Sequence, residues 1–90
     1  MKKVFLQCKF KIPGKGEFIC GDSFNSEVAA LRGGFWMIRK TWFHETGNMI
    51  EPWFADGKIR LLQDGKISVI GKYEFLPVRP VESVTIRNYP

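Results

Sequence analysis

Ninety residues carry 14 Lys and Arg against 9 Asp and Glu, a formal charge of +5, and 44% of the residues are hydrophobic. That length makes one domain over 1–90, the composition excludes a disordered chain, and no uncharged apolar run is long enough to span a membrane. The cation excess favours polyanions or acidic protein surfaces as partners.

Residues 1–6 open like a signal peptide, but Gln7, Lys9 and Lys11 interrupt the apolar region at once. The segment therefore reads as the mature chain of a cytoplasmic protein. Cys8 and Cys20 then read as reduced, buried thiols. Their spacing fits no zinc motif and His44 is not placed to complete one, so neither metal nor cofactor is expected.

Residues 3–12 alternate, with Val4, Leu6, Cys8, Phe10 and Ile12 on one face and Lys3, Phe5, Gln7, Lys9 and Lys11 on the other. This is the pattern of a strand with one buried face. Pro13-Gly14-Lys15-Gly16 is a turn. A three-residue loop over 13–15 sets Phe10 opposite Phe18 and Cys8 opposite Cys20 in a second strand; a two-residue loop would flip Phe18 and Cys20 to the wet face. Asp22 or Ser23 then caps one short helix at about 23–32. Phe24, Val28 and Leu31 lie on its apolar side, and Gly33 or Gly34 stops it.

The run 35–43, Phe-Trp-Met-Ile-Arg-Lys-Thr-Trp-Phe, is apolar on both alternating faces and reads as a central strand. His44 and Glu45 begin a polar loop. Asp56-Gly57 and Asp64-Gly65 are two-residue hairpin turns that define a meander of about 49–55, 58–63 and 66–76. They pair Phe54 with Ile59, Trp53 with Arg60, and Leu62 with Ile67. In the third of these strands Ile67, Val69, Tyr73 and Phe75 share a side, and Gly71 marks a bend or bulge. Residues 81–89 read as a last strand, with Val84 and Ile86 facing in.

The fold expected is mostly β on the α+β borderline, a small antiparallel barrel or strongly curved sheet. The element order is β-β-α-β-β-β-β-β, with the lone helix plugging an end or covering a face. A helix packed on an antiparallel sheet is the second choice.

Catalytic groups are sparse. His44 beside Glu45 suits a general base, but both read as solvated loop residues, and inward-facing cysteines make poor nucleophiles. Asp56 and Asp64 are accounted for by their turns. No enzyme is expected. Cations among aromatic rings suit single-stranded nucleic acid, where bases stack on rings and cations meet phosphates. Lys9, Lys11, Arg39, Lys40 and Arg60 are the phosphate candidates, and Trp42 and Trp53 the stacking candidates. The same aromatic patch also has the composition of a protein interface, as in a small adaptor or inhibitor of phage or mobile-element type. An exposed strand or that patch would equally serve a homodimer. Nucleic acid is narrowly preferred, and which face of 35–43 is free stays open.

Overall fold

In the computed structural model, which describes residues 3–77 and 85–86, the alternating segment is β1 (Val4–Ile12) and its return is β2 (Gly16–Phe24). The three-residue loop holds. Ile12 pairs with Gly16, the Lys15 amide donates to the Ile12 carbonyl at 2.9 Å, and Phe10 and Cys8 face Phe18 and Cys20. Gly14 and Gly16 both take positive φ, which a side chain would resist.

The helix α1 (Glu27–Thr46) is twenty residues long and absorbs the whole segment 35–43. The helix expected at about 23–32 and the central strand after it are therefore corrected together. Ser26, not Asp22 or Ser23, is the N-cap: its side chain accepts from the Ala29 amide at 3.1 Å, and β2 continues through Phe24. Gly47, not Gly33 or Gly34, ends the helix in the left-handed conformation, its amide donating to the Phe43 carbonyl at 2.8 Å. His44 and Glu45 thus sit in the last turn rather than in a loop.

Gly33 and Gly34 serve packing. A Cβ on Gly34 would stand 2.7 Å from Leu6 Cδ2 and 3.1 Å from Phe54 Cζ, and one on Gly33 would run into the Phe24 ring. The two glycines let the helix backbone settle onto the sheet. Alanine would gain about 1 kcal/mol of helix propensity at either position. At Gly34 that gain is outweighed, because Leu6 is fully buried and cannot yield, and overpacking costs about 1–3 kcal/mol. At Gly33 the half-buried Phe24 ring can swing aside. Thermal melts of the two variants are therefore expected to differ, Gly34→Ala destabilised and Gly33→Ala near neutral. Equal melting temperatures would contradict this packing.

The meander follows as β3 (Pro52–Ala55), β4 (Lys58–Gln63) and β5 (Lys66–Pro77). Phe54 faces Ile59, Trp53 faces Arg60 and Leu62 faces Ile67. Asp56, Gly57, Asp64 and Gly65 all have positive φ, as primed hairpin turns demand. Of the last strand expected over 81–89, only β6 (Thr85–Ile86) is described; it pairs with Ile19 and Cys20, and Val84 lies outside the described residues.

The strands form one antiparallel sheet in the order β3-β4-β5-β1-β2-β6. With β3 and β6 at opposite edges the sheet is open rather than a closed barrel, and α1 covers one face. The element order is the expected one, less the strand that became helix. The core lies between sheet and helix: Leu6, Cys8, Phe10, Ile12, Phe18 and Cys20 from the first hairpin, Ile59 and Leu61 from β4, and Ala30, Ile38 and Trp42 from the helix. Phe10 is 1% exposed and stacks on Phe18 at 5.8 Å between centroids. Phe10→Ala should cost about 3–5 kcal/mol, while Lys11→Ala, on the wet face, should barely shift the unfolding midpoint. Comparable losses in a denaturant titration would refute the face assignment. Phe75 is only partly buried, so its truncation falls below that range.

A bulge corrects one further expectation. β4 and β5 shift register between Ile59 and Arg60, which face Gly71 and Val69, so Ile70 is the extra residue. Tyr73 and Phe75 pack on the core, whereas Ile67 and Val69 turn to solvent, both more than half exposed.

Candidate binding surface

The strand alternation that buries one face of β1 projects Lys9 and Lys11 from the other. Register then decides what stands beside them. Lys9 is the cross-strand partner of Lys72 on β5, and Lys72 is the partner of Lys58 on β4. Three lysines thus lie in a row across β4, β5 and β1, with cross-strand Cβ spacings of about 5 Å. Lys11 and Arg60 extend the row, each two residues along its own strand and so on the same face. A groove of about 430 Å³ follows this row, lined by Lys9, Lys11, Lys58 and Lys72 and by Glu17, with Val69 and Gly71.

Acidic groups offset this charge only in part. Glu17, the register partner of Lys11, reaches Lys9 with its Oε1 3.8 Å from Nζ, both side chains being well exposed. Such a pair contributes little. Glu74 stands opposite Gln7. Trp53 is 36% exposed and sits across from Arg60, whose Nη1 donates to the Ala55 carbonyl at 2.9 Å. That bond ties the guanidinium to the backbone of β3. Leu62, Ile67 and Val69 leave an apolar rim on the β4–β5 hairpin.

Of the residues singled out from sequence, Lys9, Lys11, Trp53 and Arg60 come together on the open face of the sheet. Arg39 and Lys40 do not: they ride on α1, which packs against the opposite face. Trp42 is corrected outright as a stacking residue, because at 4% exposure it belongs to the core. Sequence reasoning missed Lys58 and Lys72. The Asp56-Gly57 turn places Lys58 opposite Ala55, but nothing local to the chain says that β5 lies beside β1.

The remaining chemistry is quiet. His44 is exposed. Cys8 and Cys20 are unbridged, and contact with Cys20 together with burial pushes the Cys8 thiol far above its ordinary value, which removes it as a nucleophile at neutral pH. Among the described residues no group of three His, Cys, Asp or Glu side chains could hold a metal ion, and no helix is long and apolar enough to cross a membrane. Comparison with protein families, with characterised proteins and with solved structures gives no match.

Proposed function

We propose that this chain is a non-enzymatic, cytoplasmic binding protein whose open sheet face holds nucleic acid, a single strand in particular. The observation that carries this reading is the row Lys58–Lys72–Lys9. Like charges directly opposite on a sheet oppose folding. A phosphate backbone laid along the row turns that repulsion into attraction. Lys11 and Arg60 extend the cationic track, and Trp53 offers an exposed ring beside it for a base.

The sheet is open and gently grooved, which suits a flexible strand better than a rigid duplex. Binding through about five cations gives a logarithmic salt slope of roughly −3.5 for a single strand, because each contact releases condensed counterions. The test is fluorescence anisotropy with labelled oligonucleotides from low to moderate salt. Binding that weakens with about this slope, and that is lost when Lys9, Lys58 and Lys72 are changed together to Gln, is the expected result. Absence of binding to single- or double-stranded DNA and RNA at low salt would end the proposal.

A further inference from the structure

The helix carries a second surface that the sheet-face reading leaves unused. Its buried line is Ala30, Gly34, Ile38, Thr41 and Trp42. Opposite that line, at seven-residue spacing, run Ala29, Trp36 and Phe43; Trp36 is 61% exposed and Phe43 52%. Arg32 and Arg39, also seven apart, flank this seam on one side and Lys40 on the other. The two acids of the helix, Glu27 and Glu45, project from the sheet-facing side instead. Large rings pointing away from the core, ringed by cations with no acid of the helix among them, are what a surface awaiting a partner presents.

The seam is also held in shape. The Arg39 guanidinium lies over both Phe35 and Trp36, 5.1 and 5.0 Å from their centroids, and those rings meet edge to face at 5.6 Å. Arg39 Nε is buried without a hydrogen-bond partner. Fixed rings and a fixed guanidinium lose little side-chain freedom when something docks on them.

From this we infer that the outward face of α1 docks an acidic amphipathic helix of a partner protein, with apolar residues on Ala29, Trp36 and Phe43 and carboxylates on Arg32, Arg39 and Lys40. Charge selects this occupant. A second copy meeting the face about a two-fold axis would set the same cations against each other. Nucleic acid fits poorly because Trp36 and Phe43 stand about 10 Å apart along the helix axis, against about 3.4 Å between successive stacked bases. The same spacing is two turns of helix, the repeat with which a partner helix presents its own apolar residues.

The probe is a synthetic amphipathic helix with leucines at seven-residue spacing flanked by glutamates, compared with the same peptide flanked by lysines. Titrated into the full chain and followed by amide chemical shifts, the glutamate peptide should perturb α1 around Arg32–Phe43 and bind at least about tenfold more tightly than the lysine peptide. Trp36→Ser with Phe43→Ser should weaken it by about tenfold or more, as loss of a hot spot does. Arg32→Glu with Lys40→Glu, two exposed positions that leave the rings in place, should weaken it independently. Equal affinity for both peptides, no binding at millimolar concentration, or shifts confined to the sheet face would overturn the inference. So would self-association abolished by Trp36→Ser, or displacement of the peptide by an oligonucleotide that shifts the same α1 amides.

Discussion

Replacing Lys72 by Gln should weaken oligonucleotide binding and at the same time stabilise the fold. Lys72 is the middle member of the row, a register partner of both Lys9 and Lys58. Removing it deletes one phosphate contact, which lowers the salt slope by about 0.7 and costs roughly eightfold in affinity near 0.05 M salt. It also deletes two cross-strand repulsions between exposed charges. Their relief is worth on the order of 0.5 kcal/mol at low ionic strength, or about 2–4 °C in melting temperature for a chain of this size. Lys72→Glu should go further on both counts. The two effects must oppose each other. A surface assembled only for solubility would lose no affinity, and a residue needed for folding would lower the melting temperature. Wild-type binding by the Lys72→Gln protein would remove the row as the phosphate track.

The halves of the fold were unequally legible. Wherever turn chemistry dictates backbone conformation, sequence was sufficient. Asp56-Gly57 fixed the register of β3 with β4, Asp64-Gly65 fixed that of β4 with β5 as far as Arg60 and Val69, and the three-residue loop at Pro13 fixed the pairing of Cys8 with Cys20 and Phe10 with Phe18. The helix was misread for a physical reason. A continuous apolar run such as 35–38 satisfies the strand and the helix periods equally, and a Gly-Gly pair ordinarily stops a helix. Here the pair sits mid-helix, with Leu6 and Phe54 leaving no room for a Cβ on Gly34 and the Phe24 ring lying where a Cβ on Gly33 would stand, a fact that only the tertiary packing contains. The seam Trp36–Phe43 was hidden by the same misreading, since a strand would have turned residues seven apart to opposite faces.

The candidate site divides along the same line. Lys9, Lys11, Trp53 and Arg60 could be placed together because their faces follow from alternation and from a two-residue turn. Arg39, Lys40 and Trp42 were lost to the helix. Lys58 and Lys72 escaped because the pairing of β5 with β1 joins residues more than sixty positions apart, and no local pattern encodes it. Non-local pairing also decides what the bulge at Ile70 does, since it separates the part of β5 that serves the core from the part that faces solvent.

Gly71 is where these threads meet, and Gly71→Ala should be among the most damaging single changes in the chain. A Cβ there would overlap the carbonyl oxygen of Lys9 and stand 2.6 Å from Phe10 Cα. These are backbone atoms of the strand next door, so no rotamer change relieves the contact. Gly71 is also the last residue of β5 to pair with β1, opposite Phe10, and the register shift to β4 follows at once. Beyond it β5 leaves β1, and a notch of about 750 Å³ opens between Ser68–Ile70 and the tip of the first hairpin. An added methyl forces β1 and β5 apart where Phe10 fills the core and Lys9 meets Lys72. The cost should reach about 3 kcal/mol, the upper range for overpacking, measured by denaturant unfolding. Where the variant remains folded, it should also bind oligonucleotide less tightly although no cation has been removed, because the row is broken between its second and third members. A Gly71→Ala protein with wild-type stability would show that β5 does not approach β1 this closely, and the alignment of Lys58, Lys72 and Lys9 would fall with it.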